Sequence, residues 1–193
     1  MPPLEVIAVD TGTGPERFEV MGRTPELPRW IEEDLLPWAG TGKDAGAAAG
    51  ADAARDGGPS SRRASWPPSR TIVCGQSLGG LAAVSIAAGE RRIADMALAK
   101  SGSFWFPAWG GEDGGELAAE LRQPQVAERL RRRRVRAHLS VGLGERDMVP
   151  HSEAIAGALR AAGVPVTLEV SRHAHEMAGW MGALTRGLRR LLC

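Results

Sequence analysis

The sequence predicts an α/β fold, a mainly parallel sheet held between helices in three layers. Three observations carry that expectation. Short apolar runs alternate with longer helical patterns along most of the chain. The segment TIVCGQSLGGLAAVSIAAGE passes from a β-branched run, through Gly-x-Ser-x-Gly, into an alanine-rich helical pattern. Finally, 193 residues with 43% hydrophobic and 24% charged content fit one globular domain with a sizeable core.

The elements follow in order. Leu4 to Val9 (LEVIAV) reads as a buried strand. Arg29 to Trp38 reads as an amphipathic helix with Ile31, Leu35 and Trp38 on its apolar face, ended by Pro37. Residues 40–69 are dominated by Gly, Ala, Ser, Pro and isolated charges without an apolar period, which predicts a flexible insertion in the single domain, 1–193. After the strand and helix around Ser77 comes a strand over residues 95–100, then the loop SGSFWFPAWGGEDGG. A helical stretch from about Glu116 to Arg133 is interrupted at Pro124, and VRAHLSV (135–141) is the next strand. Glu153 to Ala162 forms a helix stopped by Gly163, PVTLEV (165–170) a strand, and Trp180 to Leu192 the last helix.

Charge and cysteine content narrow the function classes. With 24 Lys and Arg against 23 Asp and Glu, the net charge of +1 gives no global field toward nucleic acid or an anionic membrane. Cys74 and Cys193 are far apart and form neither a disulfide framework nor a metal-ligand pattern. No apolar run reaches the roughly 20 residues of a membrane helix, and no signal segment precedes LEVIAV. A cytoplasmic protein without cofactor or metal, acting on a small molecule, is the expectation.

The chemistry centres on GQSLGG, residues 75–80. A serine on a tight strand-to-helix turn is held at the carboxyl edge of the sheet, where Gly75 and Gly79 let the backbone fold sharply and the Leu78 N–H faces a developing oxyanion. The serine needs a histidine to take its proton, and the histidine needs a carboxylate to fix its tautomer. The order expected of this architecture is Ser, acid, His. The chain supplies Ser77, then GERDMVP after one strand, then RHAHE after the next. Asp147 is the favoured acid with Glu145 as the alternative, since placement in the loop alone does not decide between them. Of the four histidines, His138 lies within a strand and His151 near a helix start; His173 and His175 share the loop where the base belongs.

GQSLGGLAAVSIA followed by LAKSGSFWFP closely resembles the enterochelin (ferric enterobactin) esterase family, within the esterase D-like α/β-hydrolases. The family's Ser-Gly-Ser-aromatic-Trp loop is matched by Ser101 to Trp105, followed by Phe106. Its Gly-Gly-His-Asp with a Trp five residues after the His is similar to HAHEMAGW, which assigns the base to His175 and matches Trp180; His173 and Ala174 stand where the family has glycines. VDTGTGPERF with RWIEEDLLP is similar to an upstream pattern and places Arg17 at the family's arginine.

The resemblance implies a serine esterase cleaving the trilactone or other ester bonds of a catecholate siderophore, releasing iron, with Trp105, Phe106, Trp180 and Arg17 suited to a bulky, aromatic, anionic substrate. Core packing is the alternative role for the aromatics, and a solvated helix end is the role expected of Arg131 to Arg134. The family also has a strand ending in a Leu-Asp-Gly loop, which supplies a second oxyanion donor and lies between the LEVIAV and TIVCG strands. Nothing here corresponds to it, nor to the family's N-terminal substrate-binding domain, so the resemblance implies an N-terminally truncated α/β-hydrolase. The alternatives are a general acyl-ester esterase or acyltransferase, and a weakly active or non-catalytic remnant.

Overall fold

The computed structural model describes residues 4–40, 70–107 and 113–193; the expected insertion lies outside them, apart from Gly40. Four strands form one sheet: β1 (Ile72–Gln76), β2 (Met96–Lys100), β3 (Arg136–Gly142) and β4 (Val166–Ser171). They lie in the order β1-β2-β3-β4 and every pair is parallel. Register pairs Gln76 with Lys100 and Lys100 with Ser140, so the carboxyl ends of the first three strands finish side by side. That common edge receives the loops that hold the candidate site residues.

The helices are α1 (Glu16–Met21), α2 (Glu26–Trp30), α3 (Leu36–Gly40), α4 (Leu78–Ala88), α5 (Gly115–Leu121), α6 (Pro124–Arg133), α7 (Met148–Ala161) and α8 (Met177–Leu192). One face of the sheet presents Val73, Ala97, Ala99, Ala137 and Leu139 to a large core that includes Leu81 of α4, Leu117 of α5, Leu130 of α6 and Ile155 of α7. The opposite face presents Ile72, Met96 and Leu98 to Leu184, Leu188, Leu191 and Leu192 of α8. The period-2 alternation of β2 thus sends alternate residues into two separate cores. Helix α4 is apolar all round, and nine of its eleven residues are buried, as befits a helix wedged between the sheet and its neighbours.

Three expectations are corrected. Leu4–Val9 is not a strand: the segment is irregular and exposed, Val6 by 81%. A strand exists only by pairing, and among the described residues β1 pairs with β2 alone, with no strand between it and LEVIAV. Pro37 does not end its helix. A π-type turn over Ile31–Leu35 joins α2 to α3, and the helical path runs on to Gly40. The wider i→i+5 turn gives room where a proline ring would crowd the preceding carbonyl. The residues that face the core there are Leu27, Ile31 and Leu36, while Trp38 is exposed. Helix α7 starts at Met148, five residues earlier than expected, because Pro150 sits in its first turn, where no intrahelical N–H is needed.

Strands β2, β3 and β4 lie within a residue of their expected positions, while α2 and α8 each begin three residues before the expected start and α1 stands where no helix is expected. The break at Pro124 separates α5 from α6, with Pro124 as the first residue of the second helix. Gly163, at φ +79°, follows the end of α7.

Candidate active site

Ser77 stands between the last residue of β1 and the first of α4, at φ 55° and ψ −125°. That backbone is strained for any residue with a Cβ, and it lifts the side chain out of the turn. The turn closes only around glycine: a Cβ on Gly75 would lie 2.2 Å from the Gly79 carbonyl oxygen. Backbone bonds pin it further, since the Ser77 N–H donates to the Lys100 carbonyl and the Ser77 carbonyl accepts from Gly80, Leu81 and Ser103 N–H groups. Leu78 opens α4, where the first-turn N–H groups have no partner inside the helix. The serine oxygen lies 3.2 Å from Ser103 Oγ. No hydrogen bond joins it to a histidine among the described residues.

The candidate acid and base lie in the loops after β3 and β4. A 3-10 turn, Leu143–Glu145, follows β3 directly and folds Glu145 back under the sheet edge. Its side chain is 1% exposed, and its Oε1 lies 2.5 Å from His175 Nδ1. Its Oε2 accepts from the Gly142 N–H at 2.6 Å and from the Ser101 hydroxyl at 2.7 Å. Three donors thus converge on one buried carboxyl group.

The structure thus brings Glu145, the alternative acid, to His175, and not the favoured Asp147. Asp147 is exposed at the start of α7, makes no capping bond, and does not reach the histidine. Two residues farther along the loop, past Arg146 at φ +36°, the chain has already turned away into the helix.

His175 is half exposed, and the edge of one ring meets the face of the other where it packs against Trp180, with centroids 4.7 Å apart. His173 serves the loop instead. Its Nδ1–H donates to the Ala174 carbonyl at 2.8 Å, and its ring fills the space beside Gly179, where a Cβ would come within 2.5 Å of it. His151 is buried on α7, and its Nδ1 accepts the Gly114 N–H at 2.9 Å. His138 is buried against α8 at Gly187. Burial pushes its imidazolium downward, the Glu169 charge opposes this, and Arg190 and Arg186 add to it.

The residues expected at a substrate pocket are only partly gathered. Phe106 stacks on Phe18 of α1 at 6.2 Å and tilts against Trp105 at 6.3 Å. Arg17 precedes Phe18 on α1, the helix whose Met21 lies beside Gly79 of the serine turn. Its guanidinium makes no ion pair among the described residues. Trp180 turns its indole N–H inward to Ser101 Oγ at 2.9 Å. The sequence reading missed this role for Ser101. The signal lay in the chain, as a hydroxyl placed immediately after β2, level with the loop that carries the acid. Among the described residues no cluster of His, Cys, Asp and Glu could hold a metal ion, and no helix is long and apolar enough to cross a membrane.

No family model matches the chain. It is 30% identical over 190 residues to the iron(III) salmochelin esterase of Escherichia coli, covering 96% of this chain and 42% of that protein. It is 33% identical over 135 residues to the iron(III) enterobactin esterase of Dickeya dadantii, covering 65% and 30% respectively. In structure it resembles the enterochelin esterase of Shigella flexneri, with a TM-score of 0.72 at 24% identity over 94% of this chain and 41% of that one. A siderophore hydrolase of Aspergillus nidulans superposes less closely, with a TM-score of 0.54 at 13% identity over 96% and 62%. The chain thus spans less than half the length of the curated relatives it matches. Over nearly all of its own residues the chain is similar in sequence to the iron(III) salmochelin esterase, over part of them to the iron(III) enterobactin esterase, and it shares the fold of the enterochelin esterases.

Proposed function

We propose that this chain is a serine esterase acting on the ester bonds of a catecholate siderophore. The observation that carries the reading is the buried Glu145 carboxylate bonded to His175 Nδ1 at the same sheet edge as the strained Ser77. Glu145 holds the imidazole with its proton on Nδ1, which leaves Nε2 as the base. His175 takes the proton of Ser77, the serine oxygen attacks the ester carbonyl, and the Leu78 N–H steadies the oxyanion. The protonated His175 then releases the alcohol, and water repeats the sequence on the acyl-enzyme.

The ester class is inferred from the relatives' names and from Phe18, Trp105 and Phe106 near the serine turn. Aromatic rings and the Arg17 guanidinium, which makes no ion pair among the described residues, suit a catecholate ligand carrying negative charge.

A second reading, a folded chain with no turnover, draws on the Ser77 hydroxyl's approach to Ser103 instead of His175. A fluorophosphonate probe separates the two. Labelling of the folded protein that disappears in Ser77→Ala, together with release of dihydroxybenzoyl-serine units from ferric enterobactin, is the expected result. Absence of labelling on folded wild type sinks the esterase reading.

A further inference from the structure

Resting on that reading of the site, we propose that Ser101 and Trp180 are positioning residues for the acid and base, with Trp180 acting on Glu145 through the Ser101 hydroxyl. Ser101 is fully buried immediately after β2, at φ +46°, a backbone setting unusual for a serine. Its N–H donates to the Ser140 carbonyl at 2.7 Å, which locks the residue to the end of β3. The strained conformation aims its side chain at two polar groups at once.

The direction of those two hydrogen bonds is fixed by chemistry. An indole N–H is a donor only, so Ser101 Oγ must accept from Trp180 at 2.9 Å. An ionised carboxylate is an acceptor only, so the single hydroxyl proton must point to Glu145 Oε2 at 2.7 Å. With the Gly142 N–H on the same oxygen, Oε2 is fully engaged and Oε1 is left to His175. The carboxylate cannot rotate without breaking two bonds. Trp180 acts a second time through its ring, which packs against the imidazole at 89° with centroids 4.7 Å apart. One side chain thus holds both partners of the Glu145–His175 bond, one through a proton and one through packing.

This reassigns Trp180 from a substrate wall to support for the base, and the two roles separate in kinetics. Trp180→Phe keeps an aromatic ring and removes the N–H; Ser101→Ala removes the hydroxyl. With 4-nitrophenyl acetate, each variant is expected to lose about tenfold or more in kcat with KM within about twofold. The double variant should lose no more than Ser101→Ala, because the Trp180 N–H acts through that hydroxyl. A raised KM with kcat unchanged in Trp180→Phe overturns the proposal in favour of substrate contact.

Spectra of the 15N-labelled imidazoles in the Ser77→Ala background provide a readout independent of turnover. The far-downfield Nδ1 proton of His175 should be present in the parent and lost or shifted upfield in Ser101→Ala. An unchanged signal there overturns the positioning role even where the parent enzyme is active. A parent enzyme without activity but with that shift overturns the esterase reading alone.

Discussion

At the residue scale, the site depends on side chains whose replacement changes one property at a time. Glu145→Gln keeps the shape of the buried acid but removes its charge, so the histidine loses the partner that fixes its tautomer and steadies its imidazolium. A fall of about 10⁴-fold in kcat is expected, by analogy with the amide replacement of a triad acid. Asp147→Asn, on an exposed side chain that makes no capping bond, should leave kcat and KM within about twofold. Steady-state kinetics of the two variants decide between the carboxylates, and equal losses in both would refute the assignment. The sequence could not make this choice, because Glu145 and Asp147 are two residues apart in one polar loop. What separates them is the 3-10 turn that follows β3 and the left-handed Arg146, neither of which has a marker in the residue types. Gly75 was legible for the opposite reason. A glycine before the serine of a strand-to-helix turn has one steric meaning, and a Cβ there collides with backbone, not with a movable side chain. Gly75→Ala should destabilise the fold by about 1–3 kcal/mol in chemical denaturation, and an unchanged midpoint would show that the turn can relax.

At the element scale, local pattern succeeded wherever the partner of an element was also present. The four strands of the sheet are adjacent in space and successive in sequence, so each short apolar run found a neighbour to pair with. LEVIAV is equally apolar but has no neighbouring strand among the described residues, and it remains irregular. Strand propensity reports fitness for a pleated surface; it does not supply that surface. Pro37 failed as a stop signal because the π-type turn before it absorbs the steric conflict, a solution visible only in backbone geometry. His138 on β3 exemplifies a consequence of strand placement. It faces α8, where burial holds the imidazole in its neutral form, while Glu169 at 3.8 Å partly offsets this and Arg186 and Arg190 reinforce it. The folded state therefore binds a proton at His138 less readily than the unfolded chain. Stability contributed by the neutral imidazole is complete above about pH 6.5, the unfolded value, and is lost as pH falls toward the depressed folded value. Thermal unfolding from pH 7.5 down to pH 5 should show a smaller loss of Tm in His138→Leu than in the parent protein. Parallel curves would show that the imidazole does not titrate across folding.

At the scale of the whole molecule, the two faces of the sheet are unequal, and the site straddles them. Ser77 is anchored to α4, whose side of the sheet carries the larger core, shared with α5, α6 and α7. His175 and Trp180 belong to the loop and first turn of α8, which holds its face through a small cluster around Met96, Leu98 and Leu191. The end of α8 is also tied by Arg70 and Arg136, whose guanidinium groups donate to the Leu191 carbonyl at 3.1 and 2.9 Å. Those bonds are at the far end of the helix from the histidine. A helix with fewer buried apolar contacts opens at lower free energy than the rest of the domain, and the base would be released with it while the nucleophile stays seated. Hydrogen exchange should therefore show the amides of α8 exchanging ahead of those of α4. Leu98→Ala, which removes a fully buried side chain from the α8 face, should cost about 2–5 kcal/mol and widen the gap by loosening α8 selectively. Leu81→Ala, a comparable truncation on the α4 face, should instead lower protection in both helices together, because the larger core is common to most of the fold. Equal protection of α8 and α4 in the parent, or a uniform loss in Leu98→Ala, would mean that the two faces open as one cooperative unit and that the histidine is as firmly held as the serine.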